Sequence, residues 1–212
     1  MQPDSTRPMS AYAKFLSVAT ALVFIWSMIL PADMLTWAME AAPVVIGTIV
    51  LVAIRKRFQF TDFTFTFIII EMLVLLIGAH YTYAEVPLFN WIRDAFDLMR
   101  NHYDRVGHFC QGLVPAMIAR EILIRLRVVN GRAWRFWLIL GFCLGISAAY
   151  EIIEFIAANI LSEKADAFLG TQGDVWDTQW DMTMCLIGAS VGLVFFGGAQ
   201  DKAIAEIEDD RR

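Results

Sequence analysis

The stretch FTFTFIIIEMLVLLIGAHYTY, Phe63 to Tyr83, decides the class of this protein. Apart from Glu71 it carries no carboxylate, lysine or arginine along its 21 residues. At about 1.5 Å per helical residue it reaches roughly 30 Å, the thickness of a bilayer's hydrocarbon core. A segment so apolar on all its faces is not the striped helix of a water-soluble domain. It predicts a membrane-spanning helix with one acid at mid-depth.

Five further segments meet the same test when read outward from it. They are 13–30, 36–54, 106–127, 134–160 and 177–198. Pro31 ends the first and Pro43 lies within the second, where it predicts a kink. The first follows a basic start, as a secretion signal would. Its apolar run is too long for one and no small-x-small cleavage site follows, so it is read as a retained helix. The expectation is an all-α polytopic bundle of six transmembrane helices, forming a single integral membrane domain over residues 1–212. Composition agrees: 58% of the 212 residues are hydrophobic and 18% are charged, and the mean hydropathy is +0.56. Soluble domains carry about a quarter charged residues.

No basic run or RNA-type aromatic motif points to nucleic acid, so membrane lipids are the expected surroundings. Cys110, Cys143 and Cys185 are odd in number and lie in apolar segments. They read as small core residues rather than a disulfide framework.

Lysine and arginine set the expected orientation. Twelve of the 17 fall at the two termini and in the second and fourth loops; Arg93, Arg100, Arg105 and Lys164 fall in the others. Both termini are therefore expected in the cytoplasm of a bacterial inner membrane. Trp26, Trp37, Trp176 and Trp180 then lie near the outer interface, with Trp134 and Trp137 near the inner one.

Ionisable residues gather on the predicted outer side. Asp104, His108 and Gln111 share one helical stripe, as do Ser147, Glu151 and Glu154. GDVWDTQWD adds Asp174, Asp177 and Asp181 as the sixth span begins. Carboxylates at a bilayer edge are costly unless paired, hydrated or bound to a cation. Candidate catalytic residues are His108, Asp104, Glu151, Glu154 and Asp181. A divalent metal ion would draw on His102, His108, Asp174, Asp177 and Asp181. An envelope lipid or lipid-linked substrate would present its phosphate to Arg100 or Arg105 and its acyl part to Tyr103, Trp176 and Trp180. Plainer roles compete with these. Glu151 and Glu154 would pair with Arg105, Asp174 would cap a helix, and His80 would be a hydrogen-bonded interfacial residue. Arg93, Asp94, Asp97 and Arg100 would form the solvated face of a short helix. Within the membrane, Glu71 is expected to pair with Arg120, and Glu121 to snorkel. The alternative has Glu71, Arg120 and Glu121 lining the path of a small transporter. A non-catalytic partner subunit is the third reading.

HYTYAEVPL, RNHYDRVGHFCQGLVPAMIAREIL, SAAYEIIEF and AFLGTQGDVWDTQWDM resemble the YjdF family of bacterial inner-membrane proteins. The resemblance covers about Trp37 to Gly192. It implies a multi-helix inner-membrane protein and brings no reaction with it. A shorter likeness is to VanZ-like membrane proteins, through Asp104 and His108, Glu151 or Glu154, and Asp181 with Gly188 and Ala189. Arg105 stands where that pattern has lysine. That likeness implies a role in the cell envelope.

Overall fold

The computed structural model describes residues 8–161 and 172–209. Arg7, Lys164, Arg211 and Arg212, used in the charge count, lie outside the described residues, as does the start of AFLGTQGDVWDTQWDM. Eight α-helices are described: α1 (Ala11–Ser27), α2 (Met34–Ile54), α3 (Asp62–Tyr81), α4 (Pro87–Ala95), α5 (Tyr103–Arg125), α6 (Arg132–Leu161), α7 (Asp177–Val191) and α8 (Gly197–Asp209). No strand occurs among the described residues. A π-helical segment, Gly192–Phe196, joins α7 to α8. Among the described residues, four stretches are long and apolar enough to cross a membrane: Met34–Ile54, Asp62–Tyr81, Arg132–Ile160 and Asp177–Asp209. The last is longer than the expected sixth span. The chain is an all-α, multi-pass membrane protein.

Helix starts follow local chemistry. Ser10, Asp33 and Thr61 accept the free N–H groups of Ala13, Thr36 and Thr64. Pro87 opens α4 at a position where its missing N–H is no loss.

Central position falls to α3 and α5, and the flanking helices turn apolar side chains outward. α1 and α2 pack on α3, while α6, α7 and α8 pack on α5. Phe15 and Leu22 on α1, Ile49 and Val52 on α2, and Phe142 and Phe155 on α6 are all exposed. α5 buries Asp104, Arg105, His108, Arg120 and Glu121. Water would punish this inside-out distribution, and a bilayer rewards it.

The α5–α7 crossing is the tightest in the fold and rests on two glycines. A Cβ at Gly112 would lie 1.8 Å from the Cys185 carbonyl oxygen, and one at Gly188 would lie 1.9 Å from that of Phe109. Small residues let the two backbones touch. The contact sets Asp104 and His108 beside Asp177 and Asp181.

Candidate functional site

Two arginines and four aspartates meet at this crossing. Arg100 Nη1 donates to Asp177 Oδ1 at 2.5 Å and to Asp174 Oδ2 at 3.4 Å; its Nη2 lies 3.4 Å from Asp104 Oδ2. Arg105 Nη2 reaches Asp177 Oδ1 at 2.7 Å and Asp174 Oδ2 at 3.1 Å, and Nη1 donates to Asp181 Oδ1. Arg100, Asp104, Arg105, Asp177 and Asp181 are all buried. The expected solvated position of Arg100 is therefore corrected. Its partners Asp174 and Asp177 draw it inward, while half-buried Arg93 pairs with exposed Asp94.

His108 stands one turn deeper. Its Nδ1 faces Gln111 Oε1 at 3.0 Å, and Nε2 faces Asp104 Oδ1 at 3.5 Å and Asp181 Oδ1 at 3.7 Å. Glu151 Oε1 lies 4.0 Å from Nδ1. Both ring nitrogens thus look at acceptor oxygens. An imidazole that gives its Nδ1 proton to Gln111 aims a lone pair at two carboxylates. That arrangement calls for a proton or a cation on Nε2. Ligand atoms of Asp104, His108 and Asp181 lie within 4.8 Å of one another. Four aspartates against two arginines leave an excess of negative charge, so the chemistry of this donor set suits a cation.

Asp104 and His108 also line a cavity of about 290 Å³ between α2, α3, α5 and α6. Glu40, Glu71 and Glu154 reach it from the other helices, with Tyr83 and Tyr150 beside them. Glu40 Oε2, Glu71 Oε2 and Glu151 Oε1 are buried without a hydrogen-bond partner.

Other sequence candidates are placed differently. His102 precedes α5 outside the trio; burial, then the charges of Arg100 and Arg105, hold its pKa below the usual histidine value. Asp174 Oδ1 accepts the Trp176 N–H at 2.9 Å, and this bond, followed by Arg105 and Arg100, keeps its carboxyl below the usual range. Asp174 and Asp177 are bound to the two arginines, which in turn are engaged by aspartates. Tyr103 is buried and donates its hydroxyl to the Val74 carbonyl at 2.9 Å, so its ring belongs to the core. Trp176 and Trp180 are exposed. His80 faces the Ser27 carbonyl through Nδ1 at 3.2 Å and stacks on Trp26.

The expected Glu71–Arg120 pair does not form. Arg120 donates to Gln200 Oε1 at 2.8 Å and Asp201 Oδ1 at 2.7 Å. Gln200 also binds Thr64 Oγ1, which fixes the depth of Arg120 near Thr64. Glu71, seven residues on, is about 10 Å away along the helix. Nor does Glu121 snorkel. It is fully buried and accepts from the Thr61 N–H, the Thr61 hydroxyl and Arg125. Glu151 and Glu154 are not Arg105's listeners either, since that guanidinium is filled by aspartates.

Glu40 was the residue that sequence reasoning passed over. Its signal was present: Glu40, Pro43 and Gly47 recur at helical spacing on α2, and all three line the cavity.

The fold and this polar centre define a class, a multi-pass α-helical membrane protein with an ionisable site inside the bundle. The chain belongs to the DUF2238 family of predicted membrane proteins, whose model matches residues 12–202. It is similar to the inner membrane protein YjdF of Escherichia coli (strain K12), with 44% identity over 179 residues, 84% of this chain and 86% of that protein. No solved structure matches it.

Proposed function

We propose that this protein is an envelope-lipid enzyme or lipid-binding protein whose working centre is Asp104, His108 and Asp181. The observation that carries this is the convergence of their three ligand atoms within 4.8 Å of one another, with Asp104 and His108 on the wall of a bundle cavity. A divalent metal ion fits this donor set, with imidazole and carboxylates as its ligands. Bound there, it would polarise a phosphoryl or ester oxygen of the substrate. Gln111 would orient the His108 ring, as an acceptor on the far nitrogen does for metal-bound histidines. Arg100 and Arg105 would hold Asp177 and Asp181 in place. Trp176 and Trp180, both exposed, would sit at the lipid surface near Asp177 and Asp181. The lysine and arginine distribution supports a site on the outer side with both termini in the cytoplasm.

Metal analysis of the purified protein tests this. Wild type retains about one divalent ion per chain, and His108→Ala and Asp181→Asn lose it while remaining folded and inserted. Metal-free wild type, or variants that keep the ion, would refute the centre. A small transporter is the second reading, favoured by Glu71 on the cavity wall. It predicts that Glu71→Gln abolishes function while Asp181→Asn is tolerated.

A further inference from the structure

The cavity walls hold a second recognition element that the metal centre leaves unused. Glu40 is 3% exposed and its Oε2 has no hydrogen-bond partner. Glu71 contributes a second such oxygen from the facing helix. Both side chains line the cavity, as do the rings of Tyr83 and Tyr150. No lysine or arginine lines it among the described residues; His108 is its basic side chain, Asp104, Gln111 and Glu154 add polar groups, and the rest of the wall is largely apolar, including Val44, Ile68, Met72 and Leu75.

Two carboxylates in such surroundings need a positive partner or a proton. Around Glu40 and Glu71 an inorganic divalent ion is a poor match, because calcium and magnesium require about six oxygen ligands and the side chains beside these two acids, Val44, Ile68, Met72 and Leu75, are apolar. A substituted ammonium is a good match. Its charge is spread over carbon, it needs few hydrogen bonds, and its methyl groups pack against apolar side chains and tyrosine faces. A volume of about 290 Å³ admits a head group of choline size with room to spare.

Tyr83 is fixed for this task by the glycines around it. A Cβ at Gly78 would lie 2.3 Å from its ring, and one at Gly107 would lie 2.8 Å away. The ring therefore occupies space that both helices have cleared, on the cavity side of α3 and α5.

We infer that this cavity binds a substituted ammonium group, received by Glu40 and Glu71 and walled by Tyr83 and Tyr150. The inference deepens the proposed function and rests on it for one point only: that the group entering the cavity belongs to the substrate presented to His108. The ligand is an ammonium either of a lipid head group or of a free amine.

Equilibrium binding to the full chain in an uncharged maltoside detergent tests this. The probes are choline, its uncharged carbon isostere neohexyl alcohol, and dihexanoyl phosphatidylcholine. Saturable choline binding at one site per chain, with none of the isostere, is expected for a free amine. Saturation by the phosphatidylcholine alone identifies a lipid head group. Glu40→Gln and Glu71→Gln each weaken the bound probe by about thirtyfold or more, because one half of a desolvated charge pair is lost. Manganese binding separates the two proposals. Glu40→Gln retains the metal and loses the ammonium, whereas Asp181→Asn, which is not on the cavity wall, does the opposite. Wild type that binds neither cationic probe, or binds the neutral isostere equally well, overturns the ammonium site even where metal binding stands. Unchanged ammonium affinity in folded Glu40→Gln and Glu71→Gln also overturns it.

Discussion

At one end of α5, Arg120, Glu121 and Arg125 sit in a closed network. Glu121 accepts three hydrogen bonds, Arg120 is shared by Gln200 and Asp201, and Gln200 Nε2 donates to Thr64 Oγ1 at 2.8 Å and the Met117 carbonyl at 2.7 Å. At the other end, Asp104 and His108 border a cavity where Oε2 of Glu40 and Oε2 of Glu71 have no hydrogen-bond partner. The same helix carries buried charge at both ends. A satisfied network fixes geometry and has nothing left to offer a ligand. An unsatisfied one is held in place by the rest of the fold and is available for binding. Charge inside a membrane protein is thus not a marker of function by itself; the marker is charge whose partners are missing.

The largest effect tests the joint that both ends depend on. Gly112→Val should destabilise the protein by more than about 4 kcal/mol, since the first added carbon already meets the Cys185 backbone. Unfolding in detergent, or failure to recover a monodisperse protein, reads this out. Full stability would mean that α5 and α7 do not cross on Gly112.

Next comes the closed end. Glu121→Ala leaves Thr61 and Arg125 facing an empty acceptor and should remove about 3 to 5 kcal/mol, with no effect on metal or ammonium binding. A mild loss would mean that the network at this end is no more closed than the other.

The open end should respond with the opposite sign. Glu40→Gln and Glu71→Gln replace buried carboxyls whose Oε2 lacks a hydrogen-bond partner, so ligand-free protein should gain about 1 kcal/mol in each case. Losses comparable to that of Glu121→Ala would erase the distinction between the two ends.

The smallest expected effect concerns His102, the residue that precedes α5. Its pKa is lowered on folding, so the unfolded chain takes up a proton first as pH falls. Stability should therefore decline from about pH 6.5 downward, until folded His102 is protonated as well. A His102→Gln variant should show a flatter melting-temperature profile across that window. An unchanged profile would assign the slope to other groups.

Much of the architecture was legible because bilayer-spanning helices announce themselves by length and apolarity, as α2, α3 and α6 do. The Asp104–His108 stripe was legible because helical periodicity alone puts the two side chains on one face. Arg100 was misjudged because its partners lie 74 and 77 residues away in sequence. Only the glycine crossing of α5 and α7 brings them near, and steric closeness between backbones leaves no charge pattern to read. The Glu71–Arg120 pairing failed for a related reason. Matching opposite charges across helices needs their relative depth, which Gln200 sets from a third helix. Glu40 needed the same information, since a single acid on an apolar helix does not say which neighbour it faces.

The π segment between α7 and α8 sets the alignment of that third helix. α7 turns Asp181, Cys185, Gly188 and Gly192 toward the bundle. Continued at 3.6 residues per turn, that stripe would next fall near positions 196, 199 and 203. The buried residues are instead Gly197, Gln200, Ile204 and Ile207, about one place later. The wide π turn at Gly192–Phe196 absorbs the additional residue, much as a leap day keeps a calendar in step with the seasons. Wound as a regular α-helix with the same number of residues, the segment would rotate everything beyond it by about 100°. Gln200 would then swing away from Thr64 and Arg120, although its own neighbours in sequence would be unaltered. The spacing of this segment is therefore as much a part of the distant network as the side chains that form it.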